Sequence, residues 1–321
     1  MNEFELINKY FLKLSNKSKP SLKLNDDVFF DKKNKLIVSV DTYVEGNHFI
    51  NFNKPELVIK KIIRSSISDL ICKGIKPKYY FLSGSGNRKT FTKNKLAKIS
   101  KSLKEEQKKY NIILGGGDTV YSNKLSFTIT SIGFSNKIIR RNASKVNDDI
   151  YVTGNLGDSY IGLLVLKKKI KLNKYLSNYF ISCYYKPDIK YSITDHLINF
   201  ASSSIDLSDG LISDLKKLIN HQKNSYQLFF DKIPMSNNLN FVVNNKKNFN
   251  KKNLISNGDD YQVLFTSHYN NRDLINKISS KNKIKITRIG KILNHKQKSS
   301  IIDRNGHEIK INSKGYIHTF D

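Results

Sequence analysis

Apolar residues recur along the chain with two different spacings, which predict alternating strands and helices. Alternation and short apolar runs predict strands at residues 36–40, 79–82, 111–114, 125–134, 149–154, 263–266 and 284–290. Spacings of three and four predict helices at residues 3–14, 55–71, 96–109, 158–166 and 210–220. Strands that alternate with helices in this way favour an α/β fold.

The polar, charged stretch at residues 135–149 is the best candidate for a linker. We therefore predict two domains, residues 1–145 and 146–321, which suits a chain of 321 residues. Both halves repeat a strand, a turn with glycine and aspartate, and a helix. The stretch at 235–253 is rich in asparagine and lysine and predicts a surface excursion.

Short acidic motifs lie where predicted apolar runs give way to turns. They are Asn25-Asp26-Asp27, Asp41-Thr42, Gly116-Gly117-Asp118-Thr119, Asp206-Leu207-Ser208-Asp209-Gly210 and Gly258-Asp259-Asp260. Together with Asp69 they contain nine of the 27 acidic residues. Carboxylates next to glycines at strand ends are suitable ligands for Mg²⁺, which commonly binds together with phosphates. The motifs therefore predict a metal-dependent enzyme that acts on phosphate groups.

Three other features support this interpretation. A turn at 115–117 would let backbone amides approach a phosphate, because glycine has no Cβ. Asp69 lies near the end of a predicted helix, where the helix dipole disfavours an anion unless a cation binds it. The guanidinium of Arg141 suits a phosphoryl group. A single Asp such as Asp158 or Asp209 is more often a helix N-cap, but five motifs together favour a metal site.

The net charge of +29 could indicate binding to nucleic acid. However, the 56 basic residues comprise 49 lysines and 7 arginines, scattered along the chain among many asparagines. Proteins that read nucleic acid rely on arginine for bidentate contacts. We therefore favour a compositional origin for the lysine excess and predict no nucleic-acid partner.

The cysteines and the hydropathy pattern indicate the cellular compartment in which the protein is expected. Cys72 and Cys183 lie far apart and in no metal-binding spacing, which favours a reducing environment. No apolar run approaches the roughly 18 residues of a membrane span, and the first residues lack the apolar stretch of a signal peptide. The expectation is a cytoplasmic protein without a membrane partner. Motifs of P-loop nucleotide binders and protein kinases are missing from the sequence.

Several motifs resemble the thiamine-monophosphate kinase family, within the aminoimidazole ribonucleotide synthetase superfamily. They are EFELI at 3–7, NDDV at 25–28, VSVDTYVEGNHF at 38–49, SISDLICKGIKP at 66–77, GGGDT at 115–119, IYVTGNLGDSYIGL at 150–163, IDLSDGLISDL at 205–215, NGDDYQVLFT at 257–266 and KGYIHTF at 314–320. The resemblance runs nearly from end to end. VEGNHF and KGY are fairly specific to this kinase, whereas the GGD and DLSDG turns are shared across the superfamily.

The resemblance implies ATP-dependent phosphorylation of thiamine monophosphate to thiamine diphosphate, by direct in-line transfer with several Mg²⁺ ions. It also implies an N-terminal mixed-sheet α/β domain that binds ATP and Mg²⁺ and dimerises, and a C-terminal α+β domain. The active site would lie between these domains, and the neighbouring subunit of a homodimer would help to build it.

Site residues follow from the resemblance by motif. The implied metal ligands are Asp27, Ser39, Val40 through its carbonyl, Asp41, Asp69, Asp118, Asp206 and Asp209. The implied ATP contacts are Tyr110, Gly117, Asp118, Arg141 and Ser208. The implied contacts to thiamine monophosphate are His48, Asp259 and Tyr316. Asp41, Asp118 and Arg141 would be catalytic.

The chain departs from the family pattern at Asn25, where the family has glycine, and at Asp259, where it has the longer glutamate. One alternative is another ATP-dependent enzyme of the superfamily that acts on a different phosphate or small-molecule acceptor. A second is a basic nucleic-acid-binding protein, which would leave the acidic motifs unexplained. A third is an inactive scaffold, which the intact acidic set disfavours.

Overall fold

The computed structural model describes residues 1–15, 17–246, 249–311, 315 and 319–320. Its strands are β1 Phe29–Asp31, β2 Leu36–Val44, β3 Pro77–Gly86, β4 Ile113–Tyr121, β5 Ser126–Phe134, β6 Asp149–Thr153, β7 Ala201–Asp206, β8 Ser225–Phe229, β9 Val263–Ser267, β10 Ile286–Leu293 and β11 Ser300–Ile302. Its α-helices are α1 Glu3–Leu6, α2 Pro55–Cys72, α3 Lys93–Tyr110, α4 Asp158–Leu166, α5 Lys174–Tyr185, α6 Thr194–Leu197, α7 Leu211–Leu218, α8 Asn237–Asn245, α9 Lys251–Leu254 and α10 Arg272–Asn282.

The first sheet is formed by the N-terminal strands in the order β1-β2-β5-β3-β4. Neighbours are antiparallel except β3 and β4, which are parallel, so the sheet is mixed. Residues of β5 alternate between buried and more exposed positions, which agrees with the alternation in its sequence. The strand predicted at 125–134 is therefore confirmed, with Phe127 and Ile129 in the core.

The second sheet contains the remaining strands in the order β11-β8-β10-β6-β9-β7. It is also mixed, since β11 and β8 are parallel and the other neighbours are antiparallel. The two sheets lie on either side of residue 145 in the sequence. The division into two domains at that residue stays a prediction, because one hydrophobic core continues across both halves and includes Ile63, Tyr151 and Phe265.

Helix α2 joins the two sheets. Pro55 occupies its first turn, where a missing N–H costs nothing. The helix contacts β2 and β5 of the first sheet and β7 and β9 of the second. Consecutive residues from Ile62 to Ser68 are buried, as expected for a helix covered on all sides. Its C-terminal end carries Asp69 into the space between the sheets.

Three sequence predictions were wrong. Asp41-Thr42 does not begin a turn, because β2 continues to Val44 and pairs with β5 throughout. The glycines at 115–117 do not form a turn, because β4 continues through them, with Gly115 as the extra residue of a bulge against β3. The stretch at 235–253 is not simply a surface excursion, since it contains α8 and α9. Leu239, Val242 and Leu254 of these helices are buried in a small core, which the asparagine-rich composition obscured.

Among the described residues, no helix combines the length and the hydrophobicity that crossing a bilayer would require.

Candidate active site

A cleft of about 460 Å³ opens between the two sheets. Its walls come from the end of β2 with the loop after it, helix α2, helix α4, the turn after β7 and the turn before β9, with Glu3 of α1 at the edge. The predicted site residues that line it are Asp41, His48, Asp69, Asp206, Ser208, Asp209 and Asp259. The fold therefore brings together carboxylates that are widely separated in sequence.

An acidic cluster adjoins the cleft and shares Asp69 and Asp206 with its lining. Asp27, Asp69 and Asp206 place carboxylate oxygens within 4.8 Å of one another. Asp27 precedes β1, Asp69 lies in the last turn of α2, and Asp206 ends β7. The hydroxyl of Ser39 donates a hydrogen bond to Asp69, and that of Ser68 donates one to Asp206. Hard oxygen ligands from separate elements are what Mg²⁺ requires.

The cluster is unfavourable without a cation. Burial raises the pKa of Asp41 to about 6, despite a hydrogen bond from the hydroxyl of Tyr43 at 3.2 Å. Burial also raises the pKa of Asp206 to about 6. The pKa of Asp69 is well above its usual range because of burial and the charges of Asp41 and Asp206. A divalent cation would relieve this repulsion, so the residues present fit Mg²⁺.

Two basic residues lie against Asp27. The Lys73 ammonium is 2.6 Å from Asp27 Oδ2 and 2.7 Å from Asp26 Oδ1. Burial alone would lower the pKa of Lys73, but Asp26 and other nearby acids raise it overall. Arg141 pairs through its guanidinium with the other oxygen of Asp27. Lys73 could not be singled out from the sequence, because a cation at a helix C-terminus ordinarily interacts only with the helix dipole.

The turn after β7 is held by a residue that the sequence analysis missed. The buried carboxylate of Asp214 accepts hydrogen bonds from the amides of Asp209 at 2.9 Å and Gly210 at 3.1 Å. Lys217 Nζ lies 3.0 Å from Asp214 and also bonds Asp209. Asp209 is therefore not an N-cap, since the cap residue is Gly210. The spacing of Asp214 and Lys217 on one helix face was the available signal.

His48 and Asp259 also line the cleft. His48 Nδ1 accepts a hydrogen bond from the Val44 amide at 3.0 Å. Asp259 is bound by Lys61, whose Nζ lies 2.7 Å from Oδ1, and by the Tyr261 hydroxyl at 3.2 Å. Lys61 is almost completely buried and was not predicted. Tyr316, the third expected contact to thiamine monophosphate, lies outside the described residues.

Close backbone packing explains two of the glycines. A Cβ on Gly258 would lie 1.7 Å from the Ser208 carbonyl oxygen, and the neighbouring Asp259 amide donates to that oxygen at 2.9 Å. A Cβ on Gly117 would lie 1.8 Å from the Leu82 carbonyl oxygen of β3. Gly258 thus joins two turns of the cleft, whereas Gly117 is required by strand pairing.

Some expected site residues lie away from the cleft. Gly117 and Asp118 are on β4, an exposed edge strand. Asp118 is opposite Ser83, which is opposite Thr128, which is opposite Thr42. Three strand spacings separate Asp118 from Thr42, a distance of about 14 Å. One chain therefore does not bring Asp118 together with Asp41.

Tyr110, an expected contact with ATP, is buried. It ends α3 and is only 1 % exposed, with Arg64 5.8 Å from its ring centre and the Tyr191 ring at the same distance. Its side chain is therefore covered in this chain, and the contact with ATP stays a prediction. Ser39 is buried and donates a hydrogen bond to Asp69, and its role as a metal ligand stays a prediction. The side chain of Val40 is 61 % exposed, so only its backbone carbonyl could serve as a ligand.

Comparison with known proteins decides the family. The chain is 36 % identical to a thiamine-monophosphate kinase from Buchnera aphidicola subsp. Schizaphis graminum, over 99 % of this chain and 98 % of that protein. The chain belongs to the thiamine-monophosphate kinase family. The thiamine-monophosphate kinase of Haemophilus influenzae is 32 % identical over 91 % of this chain and 89 % of its own length.

The remaining comparisons agree with membership of the thiamine-monophosphate kinase family. Residues 25–135 match the family described as AIR synthase related protein, N-terminal domain. The solved structure of AaThiL complexed with AMPPCP and TMP has a TM-score of 0.85 at 24 % identity and covers 99 % of this chain and 97 % of its own. The predicted fold class, two α/β and α+β halves with mixed sheets, is therefore confirmed.

Proposed function

We propose that this protein phosphorylates thiamine monophosphate with ATP to give thiamine diphosphate. An oxygen of the substrate phosphate would attack the γ-phosphorus of ATP, and the bond from that phosphorus to the β-γ bridging oxygen would break to release ADP. Full-length membership of a kinase family supports the reaction. The observation that carries the proposal for this chain is that three carboxylates without an ion-pair partner among the described residues, Asp41, Asp69 and Asp206, line the cleft between its two sheets.

The proposed metal ions are Mg²⁺, bound by Asp41, Asp69 and Asp206 with help from Ser39. Bound Mg²⁺ supplies positive charge that neutralises phosphate oxygens during transfer. The chain's own contribution is positional. Ser39 and Ser68 orient two of the carboxylates through hydrogen bonds, and Asp214 fixes the turn that carries Ser208. Arg141 lies at the edge of this group and is proposed to bind the nucleotide phosphates.

Thiamine monophosphate is proposed to bind in the same cleft, against His48 and Asp259. Its thiazolium ring is cationic, so the carboxylate of Asp259 and the ring of Tyr43 are suitable neighbours. Lys61 holds Asp259 in place, which suits a carboxylate one methylene shorter than the glutamate of the family pattern. Tyr316 stays a predicted contact to the same substrate.

A second copy of the chain is proposed to complete the site. All residues of the edge strand β4 are exposed, including Ile113, Val120 and Tyr121 at 51 %, 51 % and 76 %. Exposed apolar edge strands are normally covered by another element. Pairing of two copies through this edge would bury these side chains and bring Asp118 of one copy towards the cleft of the other. A homodimer in the cytoplasm, without a nucleic-acid partner, is the corresponding proposal.

A coupled assay with ATP and Mg²⁺ tests the reaction, with thiamine monophosphate as substrate and free thiamine as control. We expect thiamine diphosphate from the monophosphate and no phosphorylation of free thiamine. Binding of ATP without any product from thiamine monophosphate would contradict the proposal and would favour a different phosphate acceptor.

A further inference from the structure

The carboxylates around the cleft divide into two groups by their neutralising partners. Asp26 and Asp27 form ion pairs with Lys73, and Asp27 also pairs with Arg141. Asp209 and Asp259 are likewise paired, with Lys217 and Lys61. In contrast, no described residue forms an ion pair with Asp41, Asp69 or Asp206. The charges that a bound divalent ion would balance are therefore on the second group.

All three hydrogen-bond donors of the Lys73 ammonium have acceptors in the structure. It follows Cys72 at the end of α2 and has no exposed surface. An ammonium has three donors, and the structure gives Lys73 three acceptors: Asp26 Oδ1 at 2.7 Å, Asp27 Oδ2 at 2.6 Å and the Ser204 carbonyl at 2.7 Å. These partners come from the segment before β1 and from β7, so the side chain cannot leave without breaking contacts on both sides.

This arrangement conflicts with the expected role of Asp27 as a metal ligand. A Mg²⁺ bound to Asp27 at about 2.1 Å would lie within about 5 Å of the Lys73 ammonium. It would also lie near the Arg141 guanidinium, which bonds the other oxygen of Asp27. Both oxygens of this carboxylate already accept from fixed cations, and like charges at this distance repel strongly in a buried site.

We propose that the ammonium of Lys73 occupies the position beside Asp27 that a divalent ion would otherwise take. Divalent ions then bind at Asp41, Asp69 and Asp206, and Asp27 belongs to the permanent ion-pair network of the protein. The inference rests on the metal chemistry of the proposed function and revises one ligand that the family resemblance implies, Asp27.

The number of Mn²⁺ ions bound per chain tests this inference without measuring activity. Free Mn²⁺ is measured by electron paramagnetic resonance at equilibrium with the folded protein, for the wild type, Lys73→Met and Lys73→Arg. We expect Lys73→Met to bind one more Mn²⁺ than the wild type, because Asp26 and Asp27 lose their ammonium. Lys73→Arg keeps the charge and should bind the wild-type number. An unchanged number in a folded Lys73→Met variant would overturn the proposal.

A measurement on the wild type covers the case in which Lys73→Met does not fold. Anomalous scattering from crystals soaked in Mn²⁺ should show ions bound to Asp69 and Asp206 and none at ligand distance from Asp27. A Mn²⁺ coordinated by Asp27 while Lys73 keeps its position would overturn the inference, even in a protein that phosphorylates thiamine monophosphate. The expected Mn²⁺ positions in a protein without that activity would instead contradict only the proposed function.

Discussion

Replacing Lys61 with methionine should weaken both the fold and the binding of thiamine monophosphate. Lys61 is 1 % exposed, its ammonium is 2.7 Å from Asp259, and it lies 4.0 Å from the centre of the Tyr184 ring. Methionine keeps most of the apolar volume but removes the charge. The change therefore isolates the ion pair and the cation–π contact.

The expected loss of stability follows from the burial of Lys61 and Asp259. Removing one partner of a fully buried ion pair costs about 3–5 kcal/mol. The Asp259 side chain is 27 % exposed, so water can partly solvate the carboxylate that is left. We expect the free energy of unfolding to fall by about 2 kcal/mol, including the lost cation–π contact. A misplaced Asp259 should also raise the KM for thiamine monophosphate by about tenfold, equivalent to about 1.4 kcal/mol.

Urea unfolding followed by circular dichroism measures the first effect, and steady-state kinetics with each substrate varied in turn measures the second. Lys60→Met is the matched control, because Lys60 pairs with the exposed Glu105 and should contribute less than about 1 kcal/mol. Equal stability losses in the two variants would refute the assignment of a buried ion pair. A larger effect of Lys61→Met on the KM for ATP would refute the placement of the substrate.

Three further predictions concern stability, metal binding and assembly. Arg64→Met should lower the free energy of unfolding by about 3–5 kcal/mol, because Glu106 is only 3 % exposed and loses its bidentate partner; the double variant with Glu106→Leu should recover most of this in the same urea titration. Asp69→Asn should weaken Mg²⁺ binding, measured by calorimetry, and should abolish turnover. Chelation of the metal with EDTA should also abolish turnover, and full activity after thorough metal removal would contradict the metal assignment. Tyr121→Asp should give a monomer by light scattering with lost kinase activity, whereas an active monomer would exclude a shared site.

The sequence predicted the parts of the site that depend on local pattern. One apolar run leads into Asp41 and another into Asp206, which predicted that strands carry both carboxylates. In the structure Asp41 lies on β2 and Asp206 ends β7. The amphipathic pattern also predicted that Asp69 lies near the end of a helix. Each of these signals lies within a few residues of the side chain concerned.

Residues whose partners are distant in sequence could not be predicted. Lys61 bonds Asp259 across 198 positions, and Lys73 reaches Asp26 and Asp27 from the far end of α2. A lysine in a helix usually indicates a solvent-facing position. The C-terminal half of the chain, packed on the other side of α2, makes these two internal: Lys61 lies against Tyr184 of α5 and Lys73 against Ser204 of β7. The prediction of a turn at the glycines of β4 was wrong for a different reason, because glycine is as common in an edge-strand bulge as in a turn.

The position of Asp118 on the exposed edge of β4 has a genetic consequence. If each site takes Asp41 from one subunit and Asp118 from the other, Asp41→Asn and Asp118→Asn would be inactive separately yet complement each other when mixed. In a hybrid dimer one site carries both substitutions and the other carries neither. Random exchange of subunits makes half of the dimers hybrid, so about a quarter of the wild-type activity should return. Two inactive alleles expressed in one cell would then support growth that neither supports alone.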